Sequence, residues 1–167
     1  KKQKRDISKL FDSISSYINV DFRGVKDKKS VGTIRIGFNT ITDESGDYRP
    51  GIYATADPPN EMPRGGDIWF NKGFTADNFS QGLVEGFDTP TPSSIMLHEI
   101  LHSLGLEHPN DNVKHQIPDS VNNWEHTILA AGNLEYSHSA EFYADGKSYG
   151  VSSTPMPWDL AALQHLY

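Results

Sequence analysis

Eleven consecutive residues constrain this chain more than anything else in it: His98-Glu99-Ile100-Leu101-His102-Ser103-Leu104-Gly105-Leu106-Glu107-His108. The spacing is H-E-x-x-H-x-x-G-x-x-H, and each of the five fixed positions has its own physical task. Residues four apart on a helix share a face, so His98 and His102 direct their imidazoles to one place. Two neutral imidazoles there suit a zinc ion at roughly 2.0–2.1 Å. Glu99 lies about a quarter turn from His98, within reach of a metal-bound water without being a ligand. Gly105 takes a positive φ at little cost, ending the helix and turning the chain so that His108 returns as a third ligand. Three protein ligands leave one position open, the arrangement of a catalytic zinc.

A helix carries two histidines four apart by chance often enough. The full pattern arises by chance on the order of once in ten thousand chains of this length and composition. Its setting agrees: Thr91-Pro92-Ser93-Ser94 starts a helix well, and Ile95, Leu97, Ile100, Leu101 and Leu104 provide apolar faces.

Bulk properties exclude several classes. The chain of 167 residues contains no cysteine, which removes a thiol nucleophile, a Cys-ligated zinc and a disulfide framework. Its net charge of −7, with basic residues gathered near the start, offers no broad basic face, so no nucleic-acid partner is expected. No apolar run approaches a membrane span, and the Lys-rich first residues are not followed by the apolar core of a signal peptide.

Residues 6–18 place Ile7, Leu10, Phe11, Ile14, Tyr17 and Ile18 at spacings of three and four, predicting an amphipathic packing helix. Residues 19–23 alternate and suggest a short strand, and residues 25–30 a solvated turn. Strands are expected at residues 31–38 (VGTIRIGF), 51–56 (GIYATA) and 66–71 (GDIWFN). Residues 42–47 form an acidic loop; calcium is a candidate ion there, but the spacing of a dedicated calcium loop is missing and a plain loop is the reading. His115, His126, His138 and His165 stand at no ligand spacing to the triad and are given surface or packing roles. Tyr48, Trp69, Trp124 and Trp158 are expected in the core or in a cleft wall rather than in catalysis.

The zinc-helix pattern is that of the metzincin metallopeptidases, and the chain resembles that family. The helix, the TIRIGF, GIYA and GDIWFN strands and the terminal PMPWDLAALQHLY narrow the resemblance to the serralysin-type catalytic domain, from about residue 6 to 167. Pro109-Asn110-Asp111 resembles the H-P-x-D that follows the third histidine in that family. The resemblance implies an α/β (α+β) fold: one catalytic domain over residues 1–167, with a twisted mixed sheet, a long zinc-binding helix and a C-terminal helix. An upper lobe to about residue 108 and a lower lobe over 109–167 would flank the cleft. It also implies a secreted, monomeric zinc endopeptidase acting on protein or peptide substrates.

In that reading His98, His102 and His108 hold Zn²⁺ and Glu99 is the general base. The edge strand formed by Gly51, Ile52, Tyr53, Ala54, Thr55 and Ala56 binds an extended substrate through main-chain hydrogen bonds. Specificity would come from the wall over residues 130–150. The family completes its site with a methionine turn carrying a tyrosine. The corresponding segment here puts Leu129 in the methionine position and Ala131 in the tyrosine position, with Met156 as the alternative methionine. Tyr136, Tyr143 or Tyr149 would have to replace the tyrosine. The rival reading is a zinc-containing pseudo-protease or polypeptide-binding module, which Leu129 and Ala131 favour and Glu99 opposes.

Overall fold

The central strand of the molecule is Ile68–Asn71, and its burial explains its place. Ile68, Phe70 and Asn71 are all closed off from solvent, as expected for a strand covered on both faces and paired on both edges. A computed structural model describes residues 2–26, 32–49, 52–72, 92–111, 114, 116–130 and 154–167. Three helices run through these residues, α1 (Lys2–Ser15), α2 (Pro92–Ser103) and α3 (Pro157–Leu166), with a single turn of 3₁₀ helix at Asp119–Val121. The strands are β1 (Ile36–Asn39), β2 (Ala54–Ala56) and β3 (Ile68–Asn71), in the order β1-β3-β2. β1 runs parallel to β3 and β2 antiparallel to it, giving the mixed α/β architecture expected.

α2 lies against β2 and β3. Its Ile95, Met96, Leu97, Ile100 and Leu101 are all buried, as is Leu104 just beyond it, so the apolar side chains cover more than half of the helix circumference instead of one narrow stripe. The same cluster takes in Ile14 and Ile18 near the end of α1, and Leu129 and Leu163 from the last third of the chain. α3 is tied to the other helices at its far end. The Tyr167 hydroxyl donates to the Leu104 carbonyl at 2.9 Å, and Gln164 Nε2 donates to the Tyr17 carbonyl at 3.1 Å. Among the described residues no helix is long and apolar enough to cross a membrane.

Several boundaries differ from expectation for local reasons. The first helix lies about one turn earlier than its apolar spacing indicated. Ser16 Oγ donates to the Ser13 carbonyl at 2.6 Å, and this competing bond accompanies the end of the helix, leaving Ile18 buried but non-helical. Residues 19–23 are not a strand: Val20 and Phe22 pack on the core as the alternation suggests, but no described strand pairs with them. The strand predicted over residues 31–38 begins at Ile36. Its partner turns away at Gly66 (φ 84°), whose N–H goes to the Asp57 carbonyl, so residues 32–34 have no ladder to join. At that point the buried Asp67 carboxylate takes over, accepting from the Arg35 backbone N–H at 3.2 Å and from its guanidinium.

The strand predicted at residues 51–56 is regular only from Ala54, and Gly51 lies outside the described residues. In the acidic loop the Asp43 carboxylate accepts from the N–H groups of Ser45 and Asp47 and pairs with Arg49, a side-chain-capped turn. Tyr48, Trp124 and Trp158 are exposed and not in the core; Trp69 is half-buried, its ring lying over Gly37.

Candidate metal centre

The helix that carries the first two histidines starts at Pro92, whose missing N–H costs nothing there. It ends in a glycine cap: Gly105 has φ 98°, its N–H meets the His102 carbonyl at 2.9 Å, and the Leu106 N–H meets the Leu101 carbonyl at 3.1 Å. That turn carries the chain back over the helix and brings His108 to His98 and His102.

The three Nε2 atoms form a nearly equilateral triangle: 3.0 Å between His98 and His102, 3.1 Å between His98 and His108, and 3.1 Å between His102 and His108. A point 2.0–2.1 Å from all three lies roughly 1 Å out of their plane, so zinc distances are met with no ring displaced. Each Nδ1 faces an acceptor. His98 meets the Ile128 carbonyl at 3.0 Å, His102 the Leu106 carbonyl at 2.7 Å, and His108 the Asp111 carboxylate at 2.8 Å. Those acceptors place the protons on Nδ1, so the three Nε2 lone pairs converge on one point. Three lone pairs at that separation repel one another unless a cation sits among them, and the donor set fits zinc.

Electrostatics point the same way. Burial pushes His98 down to about 4, the neighbouring His102 adding to the effect and the Ile128 carbonyl opposing it. Burial likewise lowers His102. Both imidazoles are therefore neutral and able to ligate. The hydrogen bond from His108 holds the exposed Asp111 carboxyl below the usual range. Glu99, 7% exposed, has its carboxyl raised to about 7 by burial. A carboxyl near neutrality beside a metal centre suits proton transfer.

Among the described residues, His98, His102 and His108 are the one group of at least three His, Cys, Asp or Glu side chains gathered closely enough to hold a metal. His126 bonds Asn123 instead and His165 lies exposed on α3. Leu129 is 2% exposed and follows Ile128, whose carbonyl holds His98; Met156 caps α3 and is half-buried. Ile52, Tyr53, Ala54, Thr55 and Ala56 lie on or next to β2 at the sheet edge facing away from β1. Ala131, Tyr136, Tyr143, Tyr149, His115, His138 and residues 131–150 of the proposed specificity wall lie outside the described residues.

The backbone carbonyls of Ile128 and Leu106, which hold His98 and His102, are not legible in the sequence, because a carbonyl leaves no signature in residue type.

Comparison with known proteins agrees. The Matrixin family matches residues 1–127. The chain is 31% identical over 153 residues to Serralysin G of Dickeya chrysanthemi, covering 89% of this chain and 30% of that protein. It is 28% identical over a 182-residue alignment to Serralysin of Proteus mirabilis, covering 99% of this chain and 34% of that one. The chain thus spans about a third of the length of these curated relatives.

Proposed function

This chain belongs to the matrixin family of metallopeptidases, and from that premise we propose that it is a zinc endopeptidase cutting extended polypeptide segments. The observation that carries the proposal is the convergence of three Nε2 lone pairs, each fixed by an occupied Nδ1, beside a buried carboxylate that takes no part in the triangle. His98, His102 and His108 would hold the ion. When bound, zinc supplies Lewis-acid polarisation of a carbonyl and lowers the pKa of water towards ~7. Glu99 accepts the proton of the attacking water and passes it to the leaving amine nitrogen.

Substrate would lie along β2. The Asn71 N–H meets the Tyr53 carbonyl and the Asp57 N–H meets the Asp67 carbonyl, each at 2.9 Å and each between residues directly opposite. Antiparallel pairing alternates, so Tyr53, Thr55 and Asp57 turn their backbone groups to β3 while Ala54 and Ala56 turn theirs to the open edge. Those four N–H and C=O groups are the ladder offered to an extended peptide. Buried Asn71 sets the start of that edge, donating from Nδ2 to the carbonyls of Arg49 and Ile52 at 2.9 Å.

Leu129 is read as the methionine-turn equivalent and Met156 as a helix-cap residue. A Leu129→Ala chain that held zinc as tightly as the parent would take that role from Leu129. Secretion is inferred from the resemblance to serralysins.

The deciding experiment is cleavage of an unfolded protein by the zinc-loaded chain, beside Glu99→Ala. Turnover in the parent and its loss in a variant that still binds zinc are expected. A parent that binds zinc and cuts nothing in a broad peptide library would make the chain a polypeptide-binding module instead.

A further inference from the structure

We infer that Asp159 is a positioning residue for the metal centre, acting on His98 through the backbone of residues 127–129; the inference rests on the zinc reading above. Asp159 is 2% exposed and distant in sequence from the zinc helix. Its Oδ1 accepts from the Thr127 hydroxyl at 2.5 Å. Its Oδ2 accepts from the Ile128 N–H at 3.0 Å and the Met156 N–H at 2.9 Å. Capping its own helix needs only the Met156 bond. The other two leave the helix and fix a turn that the helix does not otherwise require.

The path onward is continuous. Thr127 Oγ1, its proton committed to Asp159, accepts from the Leu129 N–H at 3.1 Å. That N–H belongs to the same planar peptide unit as the Ile128 carbonyl, and in a trans peptide the two point in opposite directions. Holding the N–H towards Thr127 therefore aims the carbonyl away from it, where it accepts from His98 Nδ1 at 3.0 Å. His102 and His108 take their orientation from Leu106 and Asp111, neighbours within the same turn of chain. His98 alone depends on a segment 30 residues away, and that segment depends on Asp159. Partners of this kind set the tautomer and the ring angle of a metal-ligating histidine, and their loss weakens metal binding by about 10–100-fold.

The test is zinc affinity of the full chain, by competition with a chromophoric chelator, together with the d–d spectrum of the cobalt(II)-loaded protein. A parent that fails to bind zinc would sink the zinc reading itself, a result distinct from those below. Asp159→Asn is expected to weaken zinc by about 10–100-fold and to shift the cobalt spectrum. Leu163→Ala, on the same helix and equally buried but outside the hydrogen-bond path, should lower Tm and leave zinc affinity and spectrum unchanged. The inference is overturned if Asp159→Asn folds with the affinity and spectrum of the parent. It is equally overturned if Leu163→Ala weakens zinc as much at the same loss of Tm. Should Asp159→Asn not fold, Thr127→Val and Thr127→Ser decide. Valine should lose affinity and serine keep it, and a valine variant that binds like the parent overturns the inference.

Discussion

The backbone carbonyl of Leu106 accepts the Nδ1 proton of His102 at 2.7 Å, so the residue that follows the helix-ending glycine orients an imidazole inside the helix. The bond exists because Gly105 adopts φ 98°, a conformation that costs an L side chain roughly 1–2 kcal/mol. Space is not the obstacle, since a Cβ there would stand 3.7 Å from Pro59, an ordinary contact.

Gly105→Ala should therefore lower folding stability by about 1–2 kcal/mol, through backbone conformation alone. It should also weaken zinc, because Leu106 and His108 both lie beyond the altered turn. Urea denaturation and a chelator competition measure the two effects. A stability loss with zinc affinity intact would mean that the turn relaxes without moving either ligand.

Zinc uptake should release a proton from Glu99. In the metal-free chain burial raises that carboxyl to about 7, and a nearby dication favours the carboxylate. Below about pH 7 Glu99 is protonated before uptake and ionised after it, so a proton leaves and apparent affinity rises with pH. Above that value it is already ionised and its contribution vanishes. Titration calorimetry at pH 6 to 8 in buffers of different ionisation enthalpy reads the release. The comparison with Glu99→Gln isolates this group, and equal release from the two proteins would remove it from the account.

The two faces of the edge strand should respond differently to proline. Ala56→Pro deletes an N–H that points to the open edge, a position where a strand tolerates proline. The fold should survive and KM should rise about 2–10-fold, the worth of one net hydrogen bond of ~0.5–1.5 kcal/mol. Thr55→Pro deletes an N–H directed at β3 opposite Trp69, and should cost stability first. Steady-state kinetics beside thermal melts separate the pair. An unchanged KM in a folded Ala56→Pro chain would move the substrate off β2.

What the sequence determined by itself was whatever is local. The period of an α-helix puts His98 and His102 on one face, and only glycine enters the left-handed region freely at residue 105, so the three histidines and the glutamate of the proposed zinc site could be read from one stretch of chain. The three helices and three strands were likewise visible in the sequence, with one strand too many at residues 19–23 and ends misplaced where a side chain competed with the ladder, as at Ser16 and Asp67. Tertiary structure decided the remainder, because those relations join residues far apart through groups that every residue type shares. The edge position of β2 depends on β3 pairing with β1 on its other side. The aim of His98 depends on a carbonyl at residue 128, and that carbonyl depends on a carboxylate at residue 159. Helical spacing and one glycine turn gather the three histidines, and a long-range contact sets the angle of His98.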